Sequence, residues 1–104
     1  MLCVTTPDIA NRTIKEVLGT VTGNVVQSKH VGRDIMAGFK TIFGGEIKGY
    51  TEMLTEAREE AMRRAVAEAE SLGADAIVNV RFTTSAIMQG ASEILIYGTA
   101  VKLD

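Results

Sequence analysis

The sequence predicts an α+β domain of order β-β-α-α-β-β, a mainly antiparallel sheet with helices on one side. Three observations carry that prediction. Apolar residues alternate with period two over residues 15–28, 76–85 and 92–103. They recur at helical spacing over 32–43 and 51–72, and glycines punctuate the junctions. No linker, repeat or low-complexity tract divides the 104 residues, so they form a single domain, 1–104.

Each element has a local cause. Residues 2–6 form a short strand stopped by Pro7, which has no N–H for a ladder. In the strand over 15–28, Val17, Gly19, Val21, Gly23 and Val25 share one face and Leu18, Thr20, Thr22, Asn24 and Val26 the other. The glycines at 19 and 23 predict either bulges or the close approach of another backbone. The helix over 32–43 carries the stripe Ile35, Met36, Phe39, Ile42 and Phe43 and stops at Gly44. Its opposite face, with Ala37 and Gly38, reads either as a packing surface or as an ordinary exposed face.

The helix over 51–72 is capped by Thr51, with Glu52 and Glu56 near its positive end. Glu59–Arg63 and Glu60–Arg64 are i,i+4 pairs in the favourable order. Leu54, Ala57, Ala61, Ala65, Glu68 and Leu72 trace its inner side, Met62, Val66 and Ala69 widen it, and Gly73 ends it. Ala76, Val78, Val80, Phe82 and Thr84 then line one face of a strand whose other face is Ile77, Asn79, Arg81, Thr83 and Ser85. After a turn at 88–91, the last strand is apolar on both faces and is expected to be covered on both, the second cover coming from another subunit.

Composition narrows function. Hydrophobic residues are 46% and charged residues 23% of the chain, values of an ordinary folded domain. Eleven Lys and Arg against 13 Asp and Glu leave a net charge of −2, which argues against nucleic-acid phosphates or anionic membranes as partners. The amino terminus lacks a basic segment followed by an apolar run, and no stretch is long enough for a membrane helix. A cytoplasmic location is expected. One cysteine and one histidine exclude an intramolecular disulfide and a four-ligand Cys/His zinc site within one chain.

Cys3 and His30 are the only soft ligands apart from methionines, so the metal reading is half a site completed by a second subunit. The competing reading is a buried strand cysteine and a loop histidine that never meet. No nucleophile motif surrounds Cys3, and no catalytic or cofactor-binding residue is assigned. The glutamates at 59 and 60 read as solvated ion pairs, and the methionines as core filling. Gly44, Gly45, Lys48 and Gly49 lack the phosphate-loop order. Arg81, with Asn79 and Thr83, suits either a polar ligand or a carboxylate of a neighbouring subunit.

The ordered landmarks Thr5-Thr6-Pro7, Val21-Thr22-Gly23, Arg33-Asp34 with Ala37-Gly38, Gly44-Gly45, Tyr50, Ala57-Arg58-Glu59, Gly73-Ala74-Asp75-Ala76 and Gly98-Thr99-Ala100-Val101 resemble the YbjQ-like family over essentially the whole chain. That family consists of uncharacterised bacterial and archaeal proteins catalogued under a heavy-metal-binding label. The resemblance implies a dodecin-subunit-like α+β subunit assembled as a ring, a pentamer, and no established activity. Three positions depart from the family pattern. Asn79 to Ser85 replaces a segment that is acidic in many relatives, Asn24 stands where glutamate is frequent, and Glu46 where arginine is common. A cationic Arg81 in that segment works against a hard metal ion.

The leading expectation is a homo-oligomeric binding or scaffold protein, not an enzyme, with no certain cofactor. The alternatives are a transition- or heavy-metal-binding protein with Cys3 and His30 shared between subunits, and a small enzyme with its active site at an interface.

Overall fold

A computed structural model describes residues 1–28, 48–88 and 90–104. Among these residues the strands are β1 (Leu2–Cys3), β2 (Ile14–Ser28), β3 (Ala76–Met88) and β4 (Ala91–Leu103), and the helix α1 (Lys48–Ser71) precedes β3. The sheet order is β1-β3-β4-β2. β4 is antiparallel to both neighbours, and β1 adds to β3 in parallel. This is the predicted α+β class. The helix expected over 32–43, with its Gly44 stop, lies outside the described residues.

The helix begins earlier than predicted, at Lys48, so Thr51 stands inside it. No acidic side chain occupies the first turn, and Glu52 and Glu56 fall beyond the reach of the dipole. Its inner stripe is Ala57, Ala61, Ala65 and Ala69, all buried. Glu68 and Leu72, expected on that stripe, are exposed. The carboxy-terminal end is closed as predicted by Gly73 at φ 77°. Its N–H donates to the Glu70 carbonyl (3.0 Å) and that of Ala74 to the Ala69 carbonyl (3.0 Å), the two bonds of a Schellman motif.

The glycines at 19 and 23 realise one alternative each. Gly19, at φ 131°, sits at a shift in the β2–β4 register where Leu18 is the additional residue. The bulge turns Val17 to solvent, at 65% exposure, and brings Leu18 against the core. Gly23 instead lies under α1. A Cβ there would stand 2.7 Å from the Ala65 nitrogen and closer still to the Ala61 carbonyl oxygen. The alanine stripe and this glycine together let two backbones approach to contact.

A further bulge corrects the expected faces of β3. Val78 pairs with Thr99 but Arg81 with Tyr97, leaving one additional residue between them. Asn79 adopts φ 54° there, a conformation its short polar side chain tolerates. Ala76 and Val78 therefore pack with Val101 and Leu103 on the face closed by Val4, Ile9 and Ile14. Ile77 and Val80 belong to the opposite face, under α1, with Val21, Ile94, Ile96 and Ala100. β4 is covered on both faces only toward its carboxy-terminal end, since Tyr97 is 41% exposed.

Candidate functional site

Cys3 is placed by β1, opposite Ile77. It is half-buried and packs against the core beneath α1. Burial pushes its thiol above the ordinary value, partly offset by the charge of the amino terminus. The thiolate form that binds metal is therefore disfavoured. Its sulfur faces the Met1 carbonyl at 3.9 Å, a weak contact. His30, the proposed co-ligand, lies outside the described residues, as do Gly44, Gly45 and Glu46. Among the described residues, no three His, Cys, Asp or Glu side chains gather as a metal site.

Arg81 serves the fold. Its Nη1 donates to the carbonyls of Thr5 and Val80, each at 2.9 Å. The guanidinium ties the segment after β1 to the β3 bulge, where the Asn79 N–H reaches the Thr6 carbonyl and the Val80 N–H the Val4 carbonyl, both at 3.0 Å. The bulge separates Asn79 from the face of Arg81 and Thr83, so the expected polar trio is not assembled.

On α1 the ion pairs converge on Glu60. Arg63 meets it at 2.8 Å and Arg64 at 3.1 Å, so Arg63 turns to Glu60 and not to Glu59. Hydrogen bonds from both arginines hold the Glu60 carboxyl below the usual range. Arg64 also donates to the Asn24 carbonyl (2.6 Å), and the Asn24 amide donates to Glu93 (3.1 Å). At the opposite end of the sheet, Asp104 accepts from the Thr13 N–H (3.1 Å), while the Arg12 guanidinium donates to the Asp104 backbone carbonyl (2.8 Å). The Thr13 bond is the main cause of a lowered Asp104 carboxyl, with the Arg12 charge a lesser one.

The most unusual surface is the distal half of β3. α1 lies mainly over β2 and β4. Phe82 pairs with buried Ile96 and so faces the helix side, yet remains 48% exposed. Ile87 and Met88 are 49% and 67% exposed, which corrects the assignment of Met88 to the core. Met62 does pack against the core. Across the sheet, Val26, opposite Glu93, is likewise exposed. Periodicity missed this surface because an alternating strand reads as half-buried whatever covers it. The available signal was charge: residues 82–92 contain none.

The family model described as "Putative heavy-metal-binding" matches residues 1–104. The chain belongs to this YbjQ-like family. A UPF0145 protein of Photobacterium profundum is 84% identical over 103 residues, covering 99% of this chain and 100% of its own length. A UPF0145 protein of Thermotoga maritima is 62% identical over 104 residues, covering 100% of this chain and 98% of its own. Among solved structures, a protein of unknown function of the DUF74 family from Pediococcus pentosaceus aligns with a TM-score of 0.59 at 19% identity. That alignment covers 100% of this chain and 98% of the other. It supports the fold alone. Among the described residues, no helix is long and apolar enough to cross a membrane.

Proposed function

We propose that this chain is the subunit of a homo-oligomeric ring of five copies, acting as a binding or scaffold protein without catalytic activity. The observation that carries this reading is the apolar surface at the distal end of the sheet, where Phe82, Ile87, Met88, Tyr97 and Val26 stand exposed. Large apolar side chains left uncovered in this number, on both faces of one end of a sheet, suit burial against another surface. A domain of about 100 residues also gains much by burying them in a neighbour. Native mass spectrometry of the tag-free protein tests the assembly. A pentamer peak is expected, and a stable monomer at micromolar concentration refutes the reading.

The family's description favours a second reading, a heavy-metal ion held between subunits by Cys3 with His30. One soft thiol per chain is too few for a closed site, so symmetry would have to supply the rest. Metal content of protein purified without a tag, compared with Cys3→Ser, decides it. Equal, negligible content in both excludes Cys3 as a ligand.

A further inference from the structure

We infer that residues 1–6 are a detachable strap. They dock on the β3 bulge and leave it as one unit, pinned by Arg81 and hinged at residues 9–13, while β2, β3, β4 and α1 stay folded.

The contact between strap and sheet is confined to a few consecutive residues. β1 itself pairs only Leu2 with Ala76 and Cys3 with Ile77. Beyond it, the Val4 N–H donates to the Ile77 carbonyl (2.9 Å), and the carbonyls of Val4 and Thr6 accept from the N–H groups of Val80 and Asn79 (3.0 Å each). The Thr5 carbonyl, between them, accepts from Arg81 Nη1 (2.9 Å). Three successive strap carbonyls are thus held by three successive residues of β3. In a regular strand successive N–H groups point to opposite sides. The bulge turns those of Asn79 and Val80 to the same side, toward the strap. The irregularity in β3 is therefore also the strap's receptor.

The strap ends where its chain stops bonding to the sheet. Pro7 has no N–H, and the Thr6 hydroxyl turns back to donate to the Asp8 carbonyl (2.6 Å). Residues 9–13 are fastened separately. The Arg12 N–H donates to the Ile9 carbonyl (3.1 Å), and Asn11 between them adopts φ 65°. Arg12 and Thr13 are both tied to Asp104, just past the end of β4. The chain has a fixed point behind the strap, about which the strap can swing.

Undocking leaves both cores closed by other residues. No residue before Ile14 is buried, and only Cys3, Val4 and Ile9 are half-buried. Cys3 packs at the margin of the core beneath α1, and Val4 on the opposite core, where Ile9 and Ile14 on the hinge side also lie. The β3–β4 ladder runs from Ala76 to Met88 without the strap. Little apolar area and solvent-exposed hydrogen bonds mark a unit of low local stability. A fraying terminus loosens from its tip inward. Here the fastening is densest at residues 4–6, around one guanidinium, so these bonds break together. Undocking bares the Cys3 thiol, the Arg81 guanidinium and the N–H groups of Asn79 and Val80 at once.

Native-state hydrogen exchange on the full chain, at one protein concentration and in low urea, tests the inference. The amides of Val4, Asn79 and Val80 should share one opening constant that low urea barely changes, while Ile96 stays far slower. Gly19→Ala, which strains the far strand β2, should speed Ile96 and leave the three unchanged. Arg81→Ala should speed all three by one factor, about tenfold for the loss of an exposed charged donor, and leave Ile96 alone. Rates graded from Val4 to Asn79 would mean ordinary fraying and overturn the unit. Strap amides that follow Ile96 in urea or in Gly19→Ala would mean that only the whole fold opens. Unchanged exchange in Arg81→Ala would overturn the pin. If that variant does not fold, the wild-type urea series and Gly19→Ala decide alone.

Discussion

Replacing Gly23 by alanine probes the contact that joins α1 to the sheet. The new Cβ would sit 2.7 Å from the Ala65 nitrogen, where ordinary contact begins at 3.4 Å, and nearer still to the Ala61 carbonyl oxygen. Both obstacles are helix backbone, so no side chain can rotate aside. Relief requires α1 to lift from β2 by about 1 Å, a gap that forfeits roughly a quarter to a half of each dispersion contact it opens. The contacts at risk are those of Ala57, Ala61, Ala65 and Ala69 with Val21 and Val25. Overpacking of this kind costs up to about 3 kcal/mol, equivalent to a melting temperature lower by roughly 12–24 °C for a domain of this size. Gly19→Ala is the control. Among the described residues nothing lies within 4 Å of its Cβ, so the φ of 131° is what penalises it, by about 1–2 kcal/mol. Urea unfolding at one fixed protein concentration reads both, because any self-association makes apparent stability concentration-dependent. A Gly23→Ala cost below about 1 kcal/mol, or smaller than that of Gly19→Ala, would refute the close backbone approach.

Other perturbations address the bulge, the strap and the carboxy-terminal clasp. Asn79→Ala should cost about 1–2 kcal/mol through its positive φ while Asn79→Gly is tolerated; equal losses in urea unfolding would show that the side chain and not the conformation matters. Arg81→Ala removes the donor to the Thr5 carbonyl. Amide exchange at Val4 and Asn79, whose N–H groups bond across this junction, should therefore accelerate while that of Ile96 stays slow. The Asp104 carboxyl titrates below its ordinary value in the folded chain. The unfolded chain therefore binds the proton first as pH falls. The contribution of this group is present above the ordinary carboxylate value and disappears as pH drops through the lowered one. The difference in urea midpoint between wild type and Asp104→Asn should accordingly shrink from about pH 6 to about pH 2, and an unchanged difference would contradict the hydrogen bond from Thr13.

Much of the architecture was legible along the chain. Alternation located β2, β3 and β4, the alanines at fourfold spacing marked the buried stripe of α1, and Gly73 marked its end. The two glycines of β2 announced that something unusual happens there, without saying which would bulge and which would admit the helix. Cys3 and His30 were legible as rare soft ligands, but ligand geometry depends on what folding brings together, and rarity carries no information about that. The partner of Arg63 was misassigned because i,i+3 and i,i+4 carboxylates are both within its reach, and side-chain packing chooses between them.

Residue order by itself determined the class of the domain, its family and the absence of charge from 17–28 and 82–92, because periodicity, glycine placement and composition are local properties. Only the tertiary structure decided the phase of the strands, since a bulge is a property of two strands in register and inverts every side chain beyond it. It also decided which strands are outermost. The uncharged tracts are ordinary as sequence, and come to lie on either side of one strand in one sheet only when β4 takes the place between them.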